Sequence, residues 1–316
     1  MRVVIATDME GAAGIDRVEQ CFRGYPEAFE TGRRQLIADI NACIRGLRRG
    51  GAREIKVVEG HAWGDFHAFE SSDLEGGPEV VRGRRGREPM VSWAEKAVLL
   101  GYHAMAGTPD GFLSHTTTGS TALSVGGEPV GEMVMTAATC GTAGVPVLLV
   151  TGDHATVREA RHFLPWAVGV EVKRATSISA VRLLSREEAS RVIETGAAAA
   201  MARANECPPL RLPEPLEIEV QFRASEFADA SMILPMGRRQ GERAIGFTAP
   251  TVSDALRFFV SAVQLTTQAR QRPLWSKLQT LPEVQHMSHQ WLEEFLRPWL
   301  EQPSPFVPNA KALKEP

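Results

Sequence analysis

The chain has little from which to build a disulfide framework or a redox centre. Its 316 residues include four cysteines, Cys21, Cys43, Cys140 and Cys207, scattered and with no C-x-x-C pair. That excludes a thiolate zinc knuckle and a dithiol redox motif, and it does not suggest a secreted disulfide scaffold. Long apolar runs are missing too: none reaches the roughly 18–20 residues of a membrane span. Nor is there an excess of one charge. Lys and Arg number 35 against 38 Asp and Glu, for a net charge of −3 and a pI near 6.3, which gives no reason to expect nucleic acid. The densest basic run, Arg82-Gly83-Arg84-Arg85-Gly86-Arg87, lacks interleaved aromatics on which bases could stack, so it reads as a surface loop or subunit contact. The chain enters an apolar run at Val3, so no signal peptide is expected, and a cytoplasmic location is the simplest expectation.

What is present is a set of candidate metal ligands at the ends of predicted strands. Val3 to Thr7 is a continuous β-rich apolar run, suited to a parallel strand buried on both faces. It leads into T-D-M-E-G, where Asp8 and Glu10, two residues apart on extended chain, point the same way. A second strand, Ile55 to Glu59, is followed by Gly60-His61, and a third, Lys96 to Leu100, by Gly101-Tyr102-His103. Open α/β sheets bind ligands outside the carboxyl ends of parallel strands, so three successive strands end in metal-capable residues on that edge. Glu132 follows a predicted hairpin, 122–125 and 128–130 joined by Gly126-Gly127, and opens an apolar helix from Met133 to Ala143. Neutral imidazoles with hard carboxylates and no thiolate suit zinc. Two histidines and three carboxylates exceed one tetrahedral shell. They suit two ions sharing a bridging carboxylate, a hydrolase arrangement.

The motifs T-D-M-E-G, E-G-H at 59–61, G-Y-H-A at 101–104, L-S-H-T at 113–116 and P-V-G-E at 129–132 together resemble the D-aminopeptidase DppA family of dinuclear zinc metallopeptidases. The resemblance covers roughly residues 1–270 and is strongest in the first 155. It implies two zinc ions per subunit, with Asp8 shared between them and Glu10, His61, His103 and Glu132 completing the two shells. It also implies that His115 is the catalytic histidine, a short peptide the substrate and a D-residue at the cleaved end the preference. Zinc acidifies a bound water and polarises a carbonyl, and a third histidine can move a proton, because the ordinary imidazole pKa of about 6.5 lies near working pH. Softer candidates are Glu59, as a partner for the far nitrogen of His61, and Asp153, as a contact for the substrate amine or the N-cap of the next helix. His67 and His154 read as solvated or capping residues.

The expected fold is α/β: a three-layer α/β/α arrangement around a mainly parallel sheet, plus a smaller α+β domain and a helical C-terminal extension. The expected bounds are 1–159, 160–270 and 271–316. An amphipathic helix from Thr31 to Arg49 is bounded by Gly50-Gly51, with Cys43 on its apolar face beside Leu36, Ile40, Ile44 and Leu47. Ser185-Arg186-Glu187-Glu188 is a capping box, and strands near 216–222 and 244–248 flank a helix near 225–231. Trp291, Phe295 and Trp299, with Leu292, Leu296 and Leu300, form an apolar stripe that docks on its own subunit or on another. A homo-oligomer is expected. Two alternatives to the aminopeptidase stay open: the same metals acting on an amino-acid amide or an L-peptide, and a non-catalytic zinc-dependent peptide-binding protein.

Overall fold

The computed structural model describes residues 1–64, 66–83, 91–291, 293, 294 and 297. Arg84, Arg85 and Arg87 of the basic run, and Leu292, Phe295, Leu296, Trp299 and Leu300 of the C-terminal stripe, lie outside the described residues. By contacts the chain divides into two compact units, Met1–Gln264 and Leu265–Pro316.

The first unit is organised by β1 (Arg2–Thr7), whose Val3, Val4 and Ile5 are all buried. Val3 and Ile5 enter one core and Val4 the other, which is why the run does not alternate with polar residues. β1 pairs in parallel with β2 (Glu54–Glu59) on one edge and β4 (Lys96–Leu100) on the other. With β3 (Glu79–Val81), β7 (Val147–Asp153), β8 (Val168–Ser177) and β9 (Ala180–Leu183) they make a seven-stranded sheet of order β3-β2-β1-β4-β7-β8-β9. Only the β8–β9 pair is antiparallel. The predicted mainly parallel sheet is therefore present, and three short or amphipathic strands, β3, β8 and β9, extend it beyond what the sequence pattern suggested.

Helix α1 (Pro26–Arg49) covers one face. It starts earlier than the expected Thr31 because Pro26 presets the first helical turn. Its Leu36, Ile40, Cys43, Ile44 and Leu47 are all fully buried, sharing a core with Ile193, Ala197 and Met201 of the helix Arg186–Ala202. The capping residue predicted there is confirmed: the Ser185 side chain accepts from the Glu188 amide. On the other face, the helices Glu132–Thr142 and His154–Phe163 pack with a second, antiparallel sheet. That sheet contains the predicted hairpin, β5 (Thr121–Val125) and β6 (Glu128–Val130), together with β10 (Leu216–Phe222), β11 (Arg238–Arg239) and β12 (Ala244–Ala249), in the order β11-β12-β10-β5-β6. Each sheet thus draws strands from both sides of residue 160.

The helix Val252–Leu278 crosses from the first unit into the second, with Pro273 inside it, and the second unit also holds the helix Pro282–Trp291. Trp275 and Met287 there are mostly exposed. Among the described residues no helix is long and apolar enough to cross a membrane.

Candidate metal centre

The carboxyl ends of β1, β2 and β4 come together because the loops that follow them interlock. The Asp8 amide donates to the Leu100 carbonyl and the Gly11 amide to the Gly101 carbonyl, both at 2.8 Å. A Cβ on Gly11 would stand 1.7 Å from the Tyr102 carbonyl oxygen, so only glycine lets these two loops touch.

That contact brings the five predicted ligands and His115 into two adjoining clusters, Asp8–Glu10–His61 and His103–His115–Glu132. Within each, the donor atoms lie within 4.8 Å of one another. Asp8 belongs to both by distance: its Oδ1 is 3.2 Å from His61 Nδ1 and its Oδ2 is 3.3 Å from His103 Nε2. Glu10 Oε2 is 3.0 Å from His61 Nδ1, and Glu132 Oε1 is 3.4 Å from His103 Nε2 and 3.8 Å from His115 Nε2. The His103 and His115 rings stack at 3.9 Å.

Backbone carbonyls set the tautomers. A carbonyl only accepts, so His61 Nε2–H donates to Cys21 (2.9 Å), His103 Nδ1–H to Ala104 (3.0 Å) and His115 Nδ1–H to Leu113 (2.7 Å). Each ring then turns its other nitrogen toward carboxylate oxygens, an arrangement usual for imidazole ligands. His103 Nε2 and Glu10 Oε2 are buried without a hydrogen-bond partner. Lone pairs facing lone pairs in a buried site repel unless positive charge lies between them. The electrostatics lean the same way. Burial alone would raise the carboxyl pKa values, but the neighbouring histidines hold Asp8 and Glu10 below the usual range and Glu132 at about 2. Burial would lower His61 and His103, yet the carboxylates beside them raise both well above normal. Nitrogen and carboxylate donors, buried and unsatisfied, fit a divalent cation such as zinc.

His115 arrives on a strained segment. Leu113 and Thr117 on either side of it have φ of 50° and 63°, a region that side chains other than glycine rarely adopt. The same segment supplies the Thr117 amide, which donates to Glu132 Oε1 at 2.6 Å.

The softer candidates sort differently. Glu59 accepts from the Ala68 amide (2.6 Å) and Arg82 (2.8 Å), fixing the stretch after β2, while the far nitrogen of His61 goes to Cys21 instead. Asp153 is the N-cap of His154–Phe163 and also accepts from the Phe112 amide at 2.7 Å. His154 bonds Asp110 at 3.2 Å.

Three buried groups around the clusters escaped the sequence reading. Asp39 on α1 accepts from the Ala13 amide at 2.8 Å. Glu159 accepts from the Met105 amide at 2.8 Å, and burial pushes its carboxyl up to about 7. Lys173 on β8 donates to three carbonyls of the loop that carries Glu10. Simple alternation in Val170-Glu171-Val172-Lys173 would turn Lys173 outward. A bulge in the β7–β8 pairing, where Gly152 faces Glu171 but Asp153 faces Lys173, turns it in.

A family model described as D-aminopeptidase matches residues 1–261. A D-aminopeptidase from Bacillus subtilis (strain 168) is 27% identical over 274 residues, 84% of this chain and 97% of that protein. Among solved structures, the Zn-dependent D-aminopeptidase DppA from Bacillus subtilis, described as a self-compartmentalizing protease, superposes with a TM-score of 0.79. It is 26% identical and spans 85% of this chain and 98% of that one. With both sheets and all six candidate site residues inside the matched span, the chain belongs to the D-aminopeptidase family.

Proposed function

We propose that this hydrolase is a zinc aminopeptidase that removes the first residue of short peptides, with preference for a D-residue, and that it holds two zinc ions per subunit. The observation that carries the reading is the division of Asp8, one oxygen toward His61 and the other toward His103. Glu10 and His61 would hold one ion with Asp8, and His103 and Glu132 the other. Three carboxylates oppose the charge of two divalent cations, which supports two ions over one. Bound there, zinc supplies Lewis acidity toward the scissile carbonyl and toward a water.

The chain's own groups do the rest. His115 keeps its Nδ1 proton on the Leu113 carbonyl, so Nε2 is the nitrogen that takes and returns a proton. It lies at the less buried edge of the site, with its side chain 22% exposed, where a substrate can reach it. The stacked His103 ring and the strained backbone at 113 and 117 hold it facing the carboxylates. The Bacillus subtilis structure described as self-compartmentalizing supports assembly into a homo-oligomer here too.

Elemental zinc analysis combined with a panel of D- and L-aminoacyl nitroanilides and amino-acid amides tests this. Two zinc ions per chain and hydrolysis confined to D-aminoacyl substrates are expected. Faster turnover of amides or L-substrates would move the assignment to an amidase or L-aminopeptidase. Zinc without turnover would make the chain a binding protein.

A further inference from the structure

Lys173 is 1% exposed, and its ammonium hydrogen-bonds to backbone carbonyls, with the carboxylates of Asp153, Asp39 and Glu10 near enough to act on its charge. Its Nζ donates to the carbonyls of Glu10 (2.5 Å), Ala12 (2.9 Å) and Ile15 (2.8 Å). An ammonium has three donors and no acceptor, so these three bonds use it completely. No neutral side chain offers three protons to one point. Without the ammonium, three inward-facing carbonyls would be left crowded and unsatisfied, each a costly group to bury bare. The Phe112 ring lies 4.8 Å from the same nitrogen, in the segment that leads to His115. The bulge that turns Lys173 inward is a local irregularity placed beside the site, as bulges that re-aim a side chain often are.

We propose that Lys173 is a positioning residue, drawing the backbone of residues 10–15 around its ammonium so that Glu10 stands beside Asp8 and His61 before any cation arrives. Lys173 touches neither substrate nor metal in this account. It sets the affinity of one ion, the one held by Glu10, and leaves the His103–Glu132 ion alone. The inference rests on the zinc reading above.

The test is a competition titration of zinc-free protein with a chromophoric chelator, comparing wild type with Lys173→Met. Outer contacts of this kind are worth roughly 10–100-fold in metal affinity. The variant is expected to bind one zinc at least about tenfold more weakly and the other within about twofold of wild type. Unchanged binding of both ions overturns the inference, and equal weakening of both reduces Lys173 to general stability. A second measurement needs no variant. Hydrogen exchange on wild-type protein, with and without zinc, should find the Ala13 and Ile15 amides equally protected, because the tether and not the metal holds the loop. Loss of that protection on removing zinc overturns the inference even if the variant does not fold. If wild type itself takes up no zinc, the functional reading fails, and weaker protection of the Ile15 amide in Lys173→Met than in wild type still decides whether Lys173 holds the loop.

Discussion

Asp8, Glu10 and His61 sit below the surface on every side, whereas His115 and Glu132 in the neighbouring cluster are only half-buried. The supports differ in the same way. The Glu10 loop is gripped from two elements, by Lys173 of β8 on three carbonyls and by Asp39 of α1 on the Ala13 amide. His115 hangs on a five-residue segment whose Leu113 and Thr117 carry backbone strain. Rigid, satisfied surroundings suit a ligand set that must not move. Strain and exposure belong where a substrate has to enter and a proton has to travel. On the proposed reading, the closed cluster keeps its ion and the open one does the exchange with solvent and substrate.

The residue that should erase the distinction is Asp8, because it faces both sides. Asp8→Ala is expected to lose both zinc ions and reduce hydrolysis to background, read by elemental analysis and the nitroanilide assay. Retention of one ion at wild-type affinity would confine Asp8 to a single cluster and remove the shared carboxylate.

His115→Ala should separate the two clusters by role. Zinc content and the melting temperature are expected to stay near wild type while kcat falls about 10²–10⁴-fold, the usual worth of a proton-transferring or oxyanion-stabilising group. Loss of zinc from this variant would place His115 in the metal shell, a possibility its 3.8 Å distance from Glu132 makes worth measuring. Glu10→Ala should have the narrower effect of weakening one ion, with the His103–Glu132 ion retained. If Glu10→Ala stripped both ions, the closed cluster would be holding the open one together.

What the sequence made legible was whatever followed from local periodicity and from motifs at strand ends. Val3 to Thr7 reads as a doubly buried strand because Val3 to Ala6 are apolar without a break, and the five ligands stand out because each follows a strand and sits near a small residue. The supports were hidden for physical reasons. Lys173 lies in a strand where parity predicts exposure, and a one-residue bulge that no local pattern announces reverses it. Asp39 sits in the middle of an amphipathic helix, where an acid normally marks the wet face, and is buried only because the Ala13 amide comes to meet it. Glu159 is one helix away from the ligands in sequence and reaches the His103 loop only through the Met105 amide. The hairpin Thr121–Val125 and Glu128–Val130 was visible, but its membership of a second sheet depends on β10, almost ninety residues later.

The smallest expected effect probes the grip on the closed cluster through Asp39. Burial pushes its carboxyl from 3.8 up to about 7, against the lowering influence of the Ala13 amide and the Lys173 charge. Between about pH 4 and pH 7 the folded protein therefore keeps a proton that the unfolded chain has released. Stability falls with rising pH wherever the native state binds more protons. Asp39 thus weakens the fold progressively across that window, adds nothing below it where both states are protonated, and reaches its full cost above about pH 7. Asp39→Asn stays neutral throughout and keeps an oxygen to accept from Ala13. In thermal scans of zinc-free protein, the variant should gain on wild type as pH rises from about 4 to 7, by a few °C in all, and then run parallel. Zinc-free protein is used so that metal release at low pH does not mask the slope. Parallel curves across the whole range would mean that Asp39 ionises as an ordinary surface acid. The Glu10 loop would then be less tightly enclosed than the burial of Asp39 implies, and the contrast between the two clusters would lose half its basis.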